Sequence, residues 1–499
     1  MKSFDTIQTN NLAGQFIMLE SSIYNTMVKC EDGWLLYNQI KGSLLLLNDE
    51  KAKIYENIMS GIIDDKYHNF IKILEDGGFL KQVGFDEKDY LADVWDKNVN
   101  SHLNKSLTIV TTDRCNLGCG YCFEKKTEWR MMKPDVQSKL MSFIKTYLTS
   151  TETKSFSVTW FGGEPTLNMS CIENLTEFIE VECKKIGIDW HPYIITNGTT
   201  LTPHVVKRLK NCKINKMQIT IDGLKDDHDK MRPYLSQMNI KDMNEYQILQ
   251  REKIDSKFKS NRLLSLHMAD SPPENPKSSF DDIMRNIEYC YEAGIDISLR
   301  VNVNNINKNR VKDLFDFIQQ KGWMNKNADG GVVRVYTHLV FDGCAGNSSS
   351  QLTKEEHAEF EIAIDQTVME KTSESYKKSL RFTGDTCTAN KKYQFVINPS
   401  GAIIKCWHHA TDDSYAIGNI TDLSFATSGA LNRDRYEFNP LNDQECSNCS
   451  VLPICMGGCK ANNQFMEKKY EGKHDVGCVS ARFTLPQQIK QLYYRMKKR

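Results

Sequence analysis

The run Thr112-Asp113-Arg114-Cys115-Asn116-Leu117-Gly118-Cys119-Gly120-Tyr121-Cys122 decides the fold that we predict for this chain. It directly follows a β-rich segment at residues 107–111, which places the cysteines on a loop at the end of a strand. Three thiolates in this spacing can hold three irons of a cubane [4Fe–4S] cluster and leave the fourth iron without a protein ligand. The alternative is a structural zinc loop, but such sites close with four ligands and this loop offers no adjacent histidine.

Short β-rich segments alternate with amphipathic helices from residue 106 onward, which predicts six βα units around a parallel sheet. The predicted strands cover residues 107–111, 155–161, 193–196, 217–221, 295–303 and 332–339. The predicted helices cover residues 135–148, 172–186, 203–209, 280–292 and 311–320. A polar stretch near residues 235–279 contains a group of prolines, breaks the alternation and is interpreted as an insertion or mobile flap.

The first hundred residues predict a separate α+β domain that looks like a winged helix. Two apolar runs, at residues 34–37 and 43–47, flank a turn, and Asn48 then caps a helix that ends at Gly61. A second helix over residues 67–74 ends at the following glycine pair. We therefore expect a winged-helix-like domain over residues 1–100.

The charges and the cysteine content limit the classes of function. The 499 residues carry 64 lysines plus arginines and 64 aspartates plus glutamates, so no charge bias indicates a nucleic-acid or anionic-lipid partner. The longest aliphatic run, at residues 44–47, is far shorter than the ~20 apolar residues of a membrane span, and the chain starts without a signal-peptide pattern. We expect a cytoplasmic protein, and in a reducing cytosol its 16 cysteines indicate metal binding or redox chemistry rather than disulfides.

The cysteine run, its place after the first strand and the aromatic Tyr121 before its last cysteine resemble the signature of the radical SAM enzymes. The resemblance implies an α/β fold with a partial (β/α)6 TIM-like barrel over residues 101–340. It also implies that Cys115, Cys119 and Cys122 hold a [4Fe–4S] cluster whose open iron binds S-adenosyl-L-methionine (SAM), with Tyr121 near the adenine.

Further strand-end motifs are similar to those of the same family. Phe161-Gly162-Gly163-Glu164-Pro165 resembles its GGEP motif, in which glycines let the backbone approach the methionine amino group. Thr220-Ile221-Asp222-Gly223 resembles a second motif, and the nearby Arg232 matches a residue that suits the SAM carboxylate; the alternative for Arg232 is a surface arginine. The implied cofactor-binding residues are Tyr121, Gly162, Gly163, Glu164, Thr220 and Arg232. Thr196-Asn197-Gly198-Thr199 and Arg300-Val301-Asn302 also match strand ends, with no role assigned.

A second group of cysteines, near the end of the chain, resembles the SPASM domain, an extension that binds auxiliary clusters. We predict it over residues 386–499, after a bridging segment at 341–385. The resemblance implies two auxiliary [4Fe–4S] clusters, a distal one on Cys446, Cys449, Cys455 and Cys478 and a nearer one on Cys387, Cys406 and Cys459. Either Cys344 completes the nearer cluster, or an open iron there binds a substrate thiolate; a zinc ribbon is the alternative on spacing alone.

Together these resemblances imply an oxidoreductase that matures a ribosomally made precursor peptide. Such an enzyme cleaves SAM to a 5′-deoxyadenosyl radical, abstracts a hydrogen atom from the peptide and forms a thioether, ether or C–C crosslink, with electrons from a flavodoxin or ferredoxin. Residues 22–82 would bind the leader of the precursor; the alternative for this domain is a purely structural extension. One alternative is an anaerobic sulfatase-maturating enzyme, although Trp407 stands where those enzymes carry a catalytic aspartate; another is a non-enzymatic iron–sulfur or zinc scaffold. No general acid or base is assigned.

Overall fold

The computed structural model describes residues 7–10, 16–60, 65–124, 128–238, 243, 247–248, 277–340, 352–371, 380–430, 438–459 and 478–498. Two compact units are present. The terminal unit comprises Met1–Val99, Lys354–Cys387 and Phe438–Arg499, and the sheet unit comprises Asn100–Thr353 and Thr388–Glu437. Most of the predicted insertion, Gly61 and Cys344 lie outside the described residues.

The described strands and helices follow each other along the chain in a regular order. The strands are β1 (Ile7–Asn10), β2 (Phe16–Ser21), β3 (Asn25–Cys30), β4 (Gly33–Asn38), β5 (Leu44–Leu47), β6 (Leu80–Gln82), β7 (Asn104–Thr112), β8 (Ser155–Gly162), β9 (Asp189–Thr196), β10 (Lys216–Thr220), β11 (Asp296–Val303), β12 (Val332–Leu339), β13 (Gln394–Ile397), β14 (Ala402–Ile404) and β15 (Gly418–Asn419). The helices are α1 (Asp49–Met59), α2 (His68–Asp76), α3 (Glu87–Asn100), α4 (Pro134–Thr149), α5 (Met169–Ile186), α6 (Pro203–Asn211), α7 (Lys225–Met231), α8 (Ser279–Glu292), α9 (Val311–Gln320), α10 (Lys354–Lys371), α11 (Ser424–Ser428), α12 (Gln444–Ser447), α13 (Leu452–Cys455) and α14 (Ala481–Lys497).

The sheet unit is built on a nine-stranded sheet in the order β12-β11-β10-β9-β8-β7-β13-β14-β15. Strands β7 to β12 are parallel and adjacent in chain order, so their carboxyl ends meet at one edge. Strand β7 is almost entirely buried, as expected for a parallel strand covered on both faces. The α/β fold and the six predicted strands are confirmed, and β12 and α9 have the predicted limits.

The terminal unit contains the antiparallel sheet β3-β4-β5 and a second sheet, β1-β2-β6. Asn48 caps α1 as predicted, because its side chain accepts a hydrogen bond from the Lys51 amide at 2.8 Å. Helix α14 packs through Leu485 and Ile489 on the sheet that contains β3 and β4. In the described part of the chain, β5 pairs with β4 on one side and with no strand on the other.

Three short strands after residue 383, which the sequence analysis did not predict, extend the sheet of the sheet unit. Strand β13 pairs in parallel with β7, and β14 and β15 continue the sheet. These strands have two to four residues, too few to show a period in the sequence. Because they extend the sheet, the predicted 386–499 domain is divided between the two units. None of the described helices is long and apolar enough to cross a membrane.

A buried lysine gives the sheet unit a testable pH dependence. Lys105 lies on β7 with 1% exposure, and its ammonium group contacts the Tyr147 carbonyl and ring. Burial lowers the pKa of Lys105 to about 8, below the value of an exposed lysine. The unfolded chain therefore binds more protons above pH 8, so this group destabilises the fold at neutral pH and the penalty disappears as the pH rises to about 10. In urea unfolding, we expect the stability of the wild type relative to Lys105→Met to rise over this range by a few kcal/mol at most.

Candidate active site

A cavity of about 240 Å³ opens at the carboxyl ends of the parallel strands. Its lining includes Cys115, Cys119 and Cys122, so the structure brings together the three thiols of the predicted cluster loop. Five of the six predicted cofactor-binding residues also line it, all except Glu164: Tyr121, Gly162, Gly163, Thr220 and Arg232. Side chains from four different segments of the chain thus converge on one space.

The GGEP segment holds the cysteine loop by its backbone. Gly163 donates its N–H to the Thr112 carbonyl at 3.0 Å, and Glu164 donates its own to the Arg114 carbonyl at 2.7 Å. A Cβ on Gly162 would lie 2.3 Å from the Thr112 carbonyl oxygen, and one on Gly163 would lie 2.3 Å from that of Arg114. The close approach that requires glycine here is therefore to the cysteine loop, whereas the sequence suggested an approach to SAM.

The Glu164 side chain lies behind the cavity and accepts hydrogen bonds from protein groups. It is fully buried and accepts from the Thr196 hydroxyl at 2.8 Å, the Asn197 amide at 2.7 Å, and the amide and hydroxyl of Thr166. Burial raises the pKa of Glu164 above its ordinary value, while these donors act in the opposite direction. In this structure Glu164 joins the ends of β8 and β9; its contact with SAM stays a prediction.

Tyr121 is the centre of a polar network on one wall of the cavity. Its hydroxyl donates to Asp222 and accepts from Arg232 Nη1 at 2.7 Å and from Asn302 Nδ2 at 3.0 Å. Burial raises the pKa of Tyr121 well above its ordinary value, so the phenol keeps its proton. His228 accepts the Asp222 amide at 3.2 Å. The motif residues are therefore held together as one unit.

Arg232 is a buried cation, which makes the surface-arginine interpretation wrong. Its exposed fraction is 6%, and its Nε is buried without a partner among the described residues. Burial alone would lower the pKa of Arg232, but the Cys119 thiolate, Tyr121 and Asp222 raise it well above its ordinary value. The guanidinium is therefore charged and suited to a carboxylate.

Another part of the cavity lining is an aromatic wall that comes partly from the segment after β14. Trp407 lies 5.5 Å from Phe161 between ring centroids, and His408 stacks on Phe123 at 4.8 Å. Burial, with a smaller effect of Arg300, lowers the pKa of His408 to about 4, so its ring is neutral at pH 7. The sequence indicated these side chains only by their position after Cys406.

Arg130 connects the cysteine loop to this same segment, a link that the sequence analysis missed. It binds the buried Asp113 through Nε at 2.6 Å, Asp413 through Nη1 at 2.8 Å and the Thr411 carbonyl through Nη2 at 3.1 Å. Burial raises the pKa of Asp113 to about 6, although Arg130 acts against the rise. No spacing rule relates Arg130 to residues almost 300 positions later, so the fold alone reveals the contact.

The predicted auxiliary ligands divide into two sets. Cys446, Cys449, Cys455 and Cys478 all lie in the terminal unit, where burial raises the pKa of Cys446 and of Cys455. Their role as ligands of one cluster stays a prediction. Cys406 belongs to the sheet unit, whereas Cys387 and Cys459 belong to the terminal unit. Among the described residues, no three His, Cys, Asp or Glu side chains converge as ligands of a single metal ion.

Residues 109–249 match the family model of the radical SAM superfamily. This chain contains a radical SAM domain. The cofactors of a radical SAM domain are SAM and a [4Fe–4S] cluster, and the donor set fits them: three thiols face a cavity with a buried guanidinium and a strand-end hydroxyl. The further cysteines accord with auxiliary clusters.

The radical SAM chain also has relatives over most of its length. The radical SAM cyclopropyl synthase TigE of Paramaledivibacter caminithermalis is 23% identical over 91% of this chain and 91% of its own. A cysteine-type anaerobic sulfatase-maturating enzyme of Clostridium novyi is 22% identical over 78% of this chain and 97% of its own. The structure of Streptococcus suis SuiB bound to its precursor peptide SuiA covers 92% of this chain and 99% of its own, with a TM-score of 0.50 and 16% identity, which shows a shared fold. The chain is therefore a SAM-dependent enzyme with a radical SAM domain.

Asn197 supplies a contact to the cluster loop that the sequence left without a role. Its Nδ2 donates to Cys115 Sγ at 3.7 Å and to Asn116 Oδ1 at 2.8 Å, while its Oδ1 accepts from the Thr199 amide at 2.9 Å. The Thr199 N–H fixes which end of the amide is the oxygen, so an N–H group faces the sulfur.

We expect Asn197→Asp to make the reduction potential of the SAM-binding cluster more negative. The substitution keeps the acceptor for Thr199 but replaces the donor at Cys115 with an oxygen, and hydrogen bonds to cluster sulfurs raise the potential. Redox titration followed by electron paramagnetic resonance measures the shift. Thr199→Val is the control, because Thr199 touches Asn197 but donates to no thiol. An equal shift in both variants would mean that the loop as a whole, rather than the hydrogen bond, sets the potential.

Proposed function

We propose that this enzyme matures a ribosomally made precursor peptide by forming a crosslink within it. The observation that carries the proposal is the convergence of the three cysteine thiols, the Tyr121 network and an aromatic wall on one cavity. The three thiols and the Tyr121 network have the groups that a [4Fe–4S] cluster and SAM require. The aromatic wall can pack against a side chain of a peptide. The printed names of relatives support the choice of substrate, since SuiB was solved with a precursor peptide and TigE is a cyclopropyl synthase.

In this proposal Cys115, Cys119 and Cys122 hold the SAM-binding cluster, while Thr220 and Arg232 hold the amino-acid part of SAM. When bound, the cluster and SAM supply hydrogen-atom abstraction from an unactivated carbon, with methionine and 5′-deoxyadenosine as products. The chain's own task is to position that carbon and exclude water. The stacked Phe123 and His408 close one side of the cavity, and neither carries a charge at pH 7.

The two auxiliary clusters belong to the same proposal. Cys446, Cys449, Cys455 and Cys478 are the ligands of the distal one, and Cys387, Cys406 and Cys459 those of the nearer one. Arg482 Nη1 lies 3.6 Å from Cys478 Sγ, which places a positive charge beside a ligand of the distal set. A crosslink removes two hydrogen atoms from the peptide, one as 5′-deoxyadenosine and one as a proton and an electron, and auxiliary clusters are suited to accept that electron.

Recognition of the leader is assigned to the sheet β3-β4-β5 of the terminal unit. An extended peptide can add to an open sheet edge through main-chain hydrogen bonds. In the described part of the chain, β5 has no partner strand on its outer side, and its Leu46 is 44% exposed. A flavodoxin or ferredoxin as electron donor stays part of the proposal.

Sulfatase maturation is the second candidate function, and the Clostridium novyi relative favours it. This activity oxidises one Cys or Ser side chain without forming a crosslink. The residue after Cys406 argues against it, because Trp407 packs on Phe161 where the sulfatase-maturating enzymes carry an aspartate.

The test is anaerobic reconstitution with iron and sulfide, followed by SAM, dithionite and a peptide. One peptide comes from a short reading frame next to the gene, and the other carries a sulfatase motif. We expect 5′-deoxyadenosine together with a loss of two hydrogen atoms from the first peptide, and neither product from Cys115→Ala. A formylglycine product from the second peptide would instead establish sulfatase maturation. SAM cleavage without change in either peptide would reject both substrates but not the radical SAM chemistry.

A further inference from the structure

Arg300 is a second guanidinium in the cavity, and among the described residues it is connected to the network around Tyr121 only through Asn302. It lies on β11, in register with Thr220 of β10 on one side and Tyr336 of β12 on the other. Its side chain lines the same cavity as Arg232. The cavity therefore presents two permanent positive charges, since guanidinium groups are not deprotonated in proteins.

The protein leaves most of the hydrogen-bonding capacity of Arg300 unused. Its Nε donates to Asn302 Oδ1 at 2.9 Å, and in the described part of the chain no carboxylate forms an ion pair with it. Asp222, the carboxylate whose charge acts on Arg300, accepts instead from the Tyr121 hydroxyl and from the Asn302 amide at 3.2 Å. The two terminal nitrogens, which form the fork that matches a carboxylate, thus have no acceptor among the described residues.

The two arginines also differ in what surrounds them. Arg232 Nη1 donates to the hydroxyl of Tyr121, which stands in the cluster loop between Cys119 and Cys122, so Arg232 belongs to the side of that loop. Burial lowers the pKa of Arg300, and the charges that act on it most are Tyr336, Tyr121, Asp222 and Arg232, none of them a cysteine. SAM carries one carboxylate, for which Arg232 and Thr220 are already placed. A cationic group in a partly enclosed cavity without an ionic partner is costly unless a ligand supplies one.

We infer that Arg300 binds a carboxylate in this cavity, and that the carboxylate belongs to the substrate, as an Asp or Glu side chain or a peptide C-terminus. The inference rests on the proposed function for the identity of the substrate. Arg300 then sets specificity by holding an acidic group of the peptide beside the reacting carbon. The alternative ligand of Arg300 is the carboxylate of SAM, and the experiment distinguishes it from a carboxylate of the substrate.

The first arm of the experiment measures anaerobic binding of SAM and of decarboxylated SAM to reconstituted enzyme. We expect the wild type and Arg300→Met to favour SAM to the same degree, and Arg232→Met to lose that preference. A lost preference in Arg300→Met alone would assign the carboxylate to SAM and overturn the substrate assignment. Iron content and circular dichroism verify that each variant is folded and loaded with clusters.

The second arm uses a capped peptide, acetyl-Gly-Gly-Glu-Gly-Gly-amide, and its Gln counterpart as probes in the presence of SAM. We expect the wild type to bind the Glu peptide about tenfold to a hundredfold more tightly, a difference that a charged hydrogen-bonded pair provides. Arg300→Met should remove the preference and Arg300→Lys should retain part of it, since it keeps the charge but loses the fork. Equal preferences in wild type and Arg300→Met in both arms would overturn the inference. Failure of the proposed function would give a different result: the Glu peptide would still bind through Arg300, but no precursor peptide would be modified.

Discussion

Replacement of Gly163 by alanine is expected to abolish assembly of the SAM-binding cluster and to lower 5′-deoxyadenosine formation by at least about a hundredfold. The added Cβ would lie 2.3 Å from the Arg114 carbonyl oxygen, 2.6 Å from its carbon and 2.7 Å from the Asp113 carbonyl oxygen. These are backbone atoms, which cannot rotate away as a flexible side chain does. The loop must therefore shift, and Cys115 shifts with it. Iron content should fall by one cluster, and the product is quantified by mass spectrometry.

Gly120→Ala is the matched control for this prediction. Gly120 lies between Cys119 and Tyr121 in the same loop, its backbone is exposed, and no heavy atom lies within 4 Å of a Cβ built there. We expect this variant to keep its cluster and most of its activity. If both variants lose the cluster equally, the loop tolerates no added side chain and the contact between Gly163 and Arg114 is not the cause.

The sequence was informative wherever a local pattern carries the structure. The convergence of the three cluster-loop thiols on one cavity could be predicted from their spacing, and β12 from its β-branched and aromatic residues, because both depend on neighbours in the chain. The role of Gly163 could not be assigned in the same way. Its requirement for glycine comes from the Arg114 backbone, which a strand pairing brings within 2.3 Å of the missing Cβ.

Long-range contacts account for most of what the sequence left open. Arg130 meets Asp413 because β13 to β15 extend the sheet beside β7, and those strands are too short to predict. Asn197 and Arg300 both stand in motifs at strand ends. The contact of Asn197 with the Cys115 thiol, and the position of the Arg300 guanidinium in the cavity, become visible only when adjacent strands are in register. In a parallel sheet the site is assembled from strand ends that are distant in sequence, so motifs identify candidates while register decides their roles.

Replacement of Leu46 by glutamate is expected to weaken binding of the precursor's leader by about tenfold, as loss of an apolar anchor in a peptide interface does. Leu46 is the exposed side chain at the middle of β5, whose inner edge is filled by β4. A leader strand that pairs on the outer edge would lie alongside it and would desolvate the new carboxylate. The effect should appear in KM for the precursor rather than in kcat, and fluorescence anisotropy of a labelled leader gives the dissociation constant directly.

The control for this prediction is Ile73→Glu, which adds the same charge to the same unit. Ile73 is 50% exposed and lies on helix α2 rather than on β5, so its replacement should leave the affinity for the leader at the wild-type value. Equal weakening by both variants would indicate that added negative charge in general repels the leader. An unchanged affinity in Leu46→Glu would exclude the β5 edge as the docking site. A leader strand paired with β5 would place one of its side chains directly beside residue 46.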